Sequence, residues 1–183
     1  MSNTKKTVFA AMMVAVGILL PMAFHSIPRA GAIFAPMHLP VFVAGMICGP
    51  FYGALVGLLC PLLSCIFTGM PAVAMLPNML IELLCYSVFS ALAFRLIKTK
   101  YFILDVYIAL IIGMLLGRAF GGLTAYLMFL SGSRSAYSWA AFYTGYFVTC
   151  WPAIVIQVVV IPTVLTVARR TGFFKDSDRH QGE

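Results

Sequence analysis

Charged residues are so sparse along the chain that they divide it into long apolar segments. Largely hydrophobic stretches run from Thr7 to Phe24, His38 to Phe67, Ala74 to Phe94, Val106 to Leu130 and Ala140 to Ala168. About 20 apolar residues in a helix can cross the hydrocarbon core of a bilayer. Because lipid offers no partners to backbone polar groups, such segments are expected to be helical. The pattern predicts an all-α integral membrane protein.

The second stretch is too long for one crossing. A helix of its length would extend about 45 Å, whereas the hydrocarbon core is about 30 Å thick. Gly49-Pro50 offers a break, since proline disfavours helix at the residue before it. The sequence then predicts a six-transmembrane-helix bundle in one membrane domain, 1–183. The approximate helices are 7–24, 38–48, 50–68, 74–97, 105–130 and 140–168, followed by a polar tail at 170–183.

The distribution of Lys and Arg favours six helices over five. Under the six-helix interpretation nine lie on the side of both termini: Lys5, Lys6, Arg95, Lys98, Lys100, Arg169, Arg170, Lys175 and Arg179. Two, Arg29 and Arg134, lie opposite. A five-helix interpretation gives eight against three, which is a weaker bias and leaves that alternative open. Since cytoplasmic loops are rich in Lys and Arg, both termini are expected to be cytoplasmic.

Composition excludes a water-soluble protein. Hydrophobic residues make up 62% of the chain and charged residues 9%, with a mean hydropathy of +1.01. The net charge of +7 does not indicate nucleic acid, because the basic residues lie at helix boundaries. The five cysteines lie in apolar segments without the spacing of a metal or redox site, so they are expected to pack.

Two ionisable residues lie deep within predicted spans, Glu82 and Arg118. A charge within a membrane is costly, so each should face the bundle interior and find a partner, most simply the other. Asn78, Glu82, Tyr86 and Ser90 recur every fourth residue and form one polar stripe. The pair either locks two helices together or orients a polar substrate, with Arg118 suited to a carboxylate.

Aromatic residues are dense between Tyr137 and Trp151. One interpretation is an anchoring belt at the membrane interface, where tyrosine and tryptophan are enriched. The other is a pocket wall, because several of these residues follow a three-four spacing that gives one inward helical face. The members of that face are Tyr143, Tyr146, Cys150, Ala153 and Gln157.

Small residues recur at spacing four, which lets helices approach closely. They are Gly45, Gly49, Gly53 and Gly57, then Gly113, Gly117 and Gly121, and Ala11 with Ala15 in the first helix. No arrangement of catalytic residues, phosphate-binding loop or cofactor motif is present, so the chain is not expected to be an enzyme. His25 and His38 lack a third ligand nearby, so no metal site is predicted.

The chain resembles the S components, or substrate-binding subunits, of energy-coupling factor (ECF) vitamin transporters. The resemblance runs from the basic N-terminus to Arg169-Arg170. It is most specific between Met37 and Ser87, in the elements HLPV, GPFYGALVG, TGMP and E-x-x-x-Y, and in the Gly117-Arg118 step. It implies a six-helix protein of the bacterial plasma membrane with cytoplasmic termini.

The resemblance also implies partners and a direction of transport. Ala11 and Ala15 match the small-residue pattern by which such subunits dock on a transmembrane coupling subunit, while two cytoplasmic ATPase subunits supply energy. Substrate would bind near the outer face, with Asn78, Glu82 and Arg118 as candidate contacts. The implied cargo includes pantothenate, other B vitamins, cobalamin and queuosine-type bases. Arg118 would fit a carboxylate such as that of pantothenate, and the aromatic wall would suit a flat ring. Alternatives are a membrane scaffold of the rod-shape-determining type and a stand-alone secondary transporter.

Overall fold

The computed structural model describes residues 2–23, 33–132 and 138–171, without the side chain of residue 141. The predictions made for the other residues lie outside this part of the chain; they involve His25, Arg29, Arg134, Tyr137, Lys175, Arg179, His180 and the tail beyond 171. The described residues form helices and contain no strand, which confirms the all-α prediction for them.

Seven helices follow one another along the described chain. They are α1 (Asn3–Ala23), α2 (His38–Cys48), α3 (Pro50–Thr68), α4 (Leu76–Leu96), α5 (Phe102–Leu130), α6 (Trp139–Tyr143) and α7 (Trp151–Arg170). A 3-10 turn, Val73–Met75, precedes α4, and a π-helical turn, Thr144–Thr149, joins α6 to α7.

Five of the described helices are long and apolar enough to cross a membrane: α1, α3, α4 with the turn before it, α5 and α7. Helix α2 is equally apolar but has only 11 residues. At 1.5 Å per residue it extends about 16 Å, roughly half the thickness of a hydrocarbon core. The described chain therefore contains five candidate membrane spans and one short apolar helix.

Helices α2 and α3 form a tight antiparallel hairpin around Gly49. This glycine has a φ of 99°, a conformation that side chains rarely adopt, and Pro50 opens α3 directly after it. Four residues to either side of the turn, Gly45 and Gly53 bring the two backbones together. A Cβ at Gly53 would lie 2.6 Å from the Cα of Gly45.

Helix α4 is central, because glycines let three helices approach it. A Cβ at Gly45 would lie 2.6 Å from the carbonyl oxygen of Ser87, and one at Gly57 would lie 2.8 Å from that of Leu83. On the other side, Gly113 of α5 faces Ser90, and Gly117 contacts the Tyr86 ring. These pairings make α4 antiparallel to α3 and α5 and parallel to α2.

The outer helices complete the bundle. Helix α1 packs on α2 and α3, with the Cys60 thiol near the carbonyl oxygens of Met13 and Val14 at 4.0 Å. Helix α7 runs antiparallel to α5, so that the Arg169 guanidinium lies 4.6 Å from the centre of the Phe102 ring.

Seven of the eight described Lys and Arg residues lie at one end of the bundle, which we call the basic end. Three observations place it. The Cys48 thiol donates to the carbonyl of Lys6 at 3.8 Å, Arg95 lies beside Gly49, and Asp105 accepts from the Thr99 amide at 2.7 Å in the α4–α5 connection. The members of the basic end are Lys5, Lys6, Arg95, Lys98, Lys100, Arg169 and Arg170.

Replacing Gly45 by alanine is expected to destabilise the bundle by about 1–3 kcal/mol, because the added methyl would meet backbone atoms of α4 that cannot rotate away. Thermal unfolding of the purified protein in detergent measures the effect. The matched control is Gly145→Ala, where an added methyl meets open space. Equal unfolding temperatures for the two variants would contradict the close packing of α2 on α4.

Candidate functional site

The polar stripe of α4 faces the interior of the bundle. Glu82, Tyr86 and Ser90 are buried, and Asn78 is partly buried nearer the start of the helix. Glycines on α5 provide the space for these side chains. Gly117 contacts the Tyr86 ring, and a Cβ at Gly121 would lie 3.3 Å from Oε2 of Glu82. Larger residues at these positions would push α5 away from the stripe.

Hydrogen bonds converge on the Glu82 carboxylate. The Tyr86 hydroxyl donates to Oε1 at 2.7 Å, and the Tyr146 hydroxyl donates to Oε2 at 3.2 Å. The Asn78 amide nitrogen in turn donates to the Tyr146 hydroxyl at 2.8 Å. These bonds fix the orientation of the carboxylate between α4 and the π-helical turn that carries Tyr146.

Arg118 reaches Glu82 through Tyr86 and makes no direct ion pair with it. Its Nε donates to the Tyr86 hydroxyl at 3.4 Å, so the phenol lies between the two charges. The guanidinium also lies over the Phe147 ring, 5.1 Å from its centre. The direct pair that the sequence suggested is thus replaced by a bridge, because Tyr86 fills the space beside Gly117. We call Asn78, Glu82, Tyr86, Arg118 and Tyr146 the polar cluster.

One amide oxygen of the polar cluster has no hydrogen-bond partner among the described residues. Because Tyr146 donates its proton to Glu82, it must accept from Asn78, which orients the amide. The Oδ1 atom of Asn78 is then buried without a hydrogen bond to any described residue. An unsatisfied buried acceptor costs about 1–3 kcal/mol. The site therefore offers an acceptor that a bound solute can satisfy.

Sequence reasoning considered His38 only as a metal ligand, but it faces the polar cluster. Its Nε2 lies 3.9 Å from Oε1 of Glu82, and its ring packs on Tyr86 with 5.1 Å between centres. His38 lies one turn before Phe42 on α2. Because α2 runs parallel to α4, this position brings His38 to the cluster. The sequence signal for this role was that His38 is a polar residue at the start of an otherwise apolar helix.

The aromatic segment contributes one face to the cluster and another to the exterior. Tyr146 points inward, and Phe142 packs on it at 4.8 Å and on Gly122. Tyr143 is 61% exposed and stacks on Phe147, so the structure does not bring it to the cluster. The π-helical turn has more residues per turn than an α-helix. Tyr143 and Tyr146, which an α-helical spacing would place on one face, therefore lie on different faces.

The remaining candidates lie apart from the polar cluster. Gln157 is buried on α7, and no hydrogen bond among the described residues links it to the cluster. Ala11 and Ala15 are exposed on α1, on a face that also carries Val8, Met12 and Leu19. This face is apolar and has small residues at its centre.

The fold and the cluster together define a class of protein. Candidate membrane spans surround a buried set of polar side chains, which is typical of membrane proteins that bind a polar solute. The sequence model of the family described as ECF transporter, substrate-specific component matches residues 5–165. The chain therefore belongs to this family of transporter binding subunits and is a multi-pass membrane protein. No curated protein and no solved structure matches it.

The Tyr86 bridge is expected to stabilise the fold. Tyr86→Phe keeps the ring against Gly117 but leaves Glu82 and Arg118 without the hydroxyl between them, which should cost about 1–3 kcal/mol. Thermal unfolding in detergent measures the loss, with Tyr143→Phe on the exposed face as the matched control. If both variants unfold like the parent protein, the bridge has no structural role.

Proposed function

We propose that this protein captures a small vitamin-like solute for an ECF-type importer of the bacterial plasma membrane. Its family membership supports a substrate-binding subunit, which associates with ECF membrane and ATPase subunits. The observation that carries the proposal is the buried Arg118, whose one hydrogen bond to the described residues runs from Nε to the Tyr86 hydroxyl. A buried guanidinium whose other N–H groups make no hydrogen bond to the described residues is suited to bind an anionic group of a solute.

The geometry of Arg118 favours a carboxylate. Its guanidinium carries five N–H donors, and the described hydrogen bonds use the Nε donor only. The Phe147 ring packs 5.1 Å from its Cζ, and a guanidinium held in this way is suited to a two-point contact with a carboxylate. Among vitamin-like solutes, pantothenate has this group and is our candidate substrate.

We further propose six crossings with both termini in the cytoplasm. Helix α2 would be one of the six crossings, and the contacts make successive helices alternate in direction. The basic end then lies on the cytoplasmic side, because Lys and Arg are concentrated in cytoplasmic loops. In this orientation Asn78 and His38 lie toward the outer face, where the solute would enter.

The exposed face of α1 is the proposed docking surface for the transmembrane coupling subunit. Ala11 and Ala15 make it flat, so another helix could approach closely. Two cytoplasmic ATPase subunits would then drive uptake, since the described chain carries no nucleotide-binding motif of its own.

Arg118→Gln is expected to weaken pantothenate binding by at least about tenfold, because the contact with a carboxylate is lost. Isothermal titration of the purified protein measures the affinity. Arg170→Gln, at the basic end, is the matched control and should bind like the parent. Unchanged affinity in folded Arg118→Gln would assign Arg118 a purely structural role.

Ala15→Trp is expected to abolish uptake while the purified protein still binds solute. The bulky ring would hold the coupling subunit away from α1 but lies far from the polar cluster. Uptake by cells that express the complete transporter, and co-purification of its subunits, measure the two steps. Ala119→Trp, exposed on α5, is the control. Lost solute binding with intact assembly would contradict the docking role.

A further inference from the structure

His38 points toward the polar cluster without a hydrogen bond to it. Its Nδ1 lies 3.2 Å from the carbonyl oxygen of Ala35, and its Nε2 lies 3.9 Å from Oε1 of Glu82. Because a carbonyl oxygen only accepts, Nδ1 carries the ring proton. In the neutral ring Nε2 is therefore an acceptor that faces a second acceptor. A donor placed between these two atoms would satisfy both.

Asn78 is a third residue of the site with an acceptor that no described residue satisfies. Its amide is oriented by Tyr146, so Oδ1 is the atom left without a partner. The Tyr86 and Tyr146 hydroxyls have each used their only proton on Glu82. The two tyrosine hydroxyls thus donate within the cluster, and acceptor atoms remain at Asn78, Glu82 and His38.

We propose that His38 is a substrate-binding residue, and that it forms with Glu82 and Asn78 an acceptor site for an amino, amide or hydroxyl group of the solute. The inference rests on the proposed capture function and narrows its substrate class. The solute carries a hydrogen-bond donor at one end and an anionic group at the other. Because the Tyr86 hydroxyl lies 2.7 Å from Oε1 of Glu82 and 3.4 Å from Nε of Arg118, the two ends of the site lie within about 6 Å of each other.

The selectivity follows from the cost of unpaired acceptors. A solute without a donor would bury the acceptors of Asn78 and His38 and leave them unsatisfied. Sites built on hydrogen bonds reject analogues that lack the matching group far more strongly than apolar sites do. Donor-free carboxylates should therefore bind poorly even though Arg118 can receive them.

The test uses the full-length protein in detergent and isothermal titration with five probes. Pantothenate, pyridoxamine and thiamine carry N–H or O–H donors, whereas nicotinate and lipoate carry none at neutral pH. We expect a donor-bearing probe to bind best. His38→Phe, which keeps a ring against Tyr86 but removes Nε2, should weaken that probe by about tenfold or more.

Two further variants make the result specific. His38→Gln offers an amide oxygen as acceptor and should retain more affinity than His38→Phe. Ser90→Ala lies deeper on the same stripe, where its hydroxyl bonds the Ser87 carbonyl, and should bind like the parent. If His38→Phe does not fold, Asn78→Leu removes another acceptor of the same site and is expected to show the same loss.

The contradicting results are distinct. Tightest binding by nicotinate or lipoate would overturn the acceptor site and leave the capture function intact. The same conclusion holds if His38→Phe is less stable but binds with parental affinity, since His38 would then be only a structural partner of Glu82. Binding of none of the five probes would overturn both the capture function and this inference.

Discussion

A carboxylate buried among apolar helices is the constraint on which the rest of this site depends. An ionised group inside a membrane protein costs several kcal/mol unless other groups compensate for the lost water. The structure provides this compensation through two hydroxyl donors, Tyr86 on α4 itself and Tyr146 on the π-helical turn, and the His38 ring on α2 packs against Tyr86. Arg118 on α5 joins through Tyr86. The surroundings of Glu82 therefore bring together four parts of the chain: α2, α4, α5 and the π-helical turn.

Glycines make this arrangement possible, because the polar side chains need helices that lie close together. Gly117 and Gly121 leave room for Tyr86, Tyr146 and Glu82 between α4 and α5. On the opposite side of α4, Gly45 receives the backbone of Ser87 without an intervening side chain. Two rows of small residues, on either side of α4, thus support both dense packing and an interior with polar groups.

Part of the fold and of the polar cluster can be predicted from the sequence. The remaining features could not be predicted, because they depend on how the helices pack on one another. The four-residue spacing of the stripe identifies the buried face of α4, and Gly49-Pro50 marks the turn between α2 and α3. The bridge through Tyr86 depends on which side chain fills the gap beside Gly117, a tertiary detail. Tyr143 was assigned to the inner face because α-helical spacing was assumed across a π-helical turn. His38 required the parallel register of α2 on α4, which no local pattern encodes.

The polar cluster and the basic end lie at different levels of the bundle, so the proposed solute contacts are separate from the end rich in Lys and Arg. The central claim is that the cluster holds a small solute. Native mass spectrometry of the protein purified from its membrane tests it most directly, with an Arg118→Gln/Glu82→Gln double variant in parallel. The account predicts one small-molecule adduct per chain on the parent protein and none on the folded variant. A parent protein without an adduct, or the same adduct on both, would contradict it.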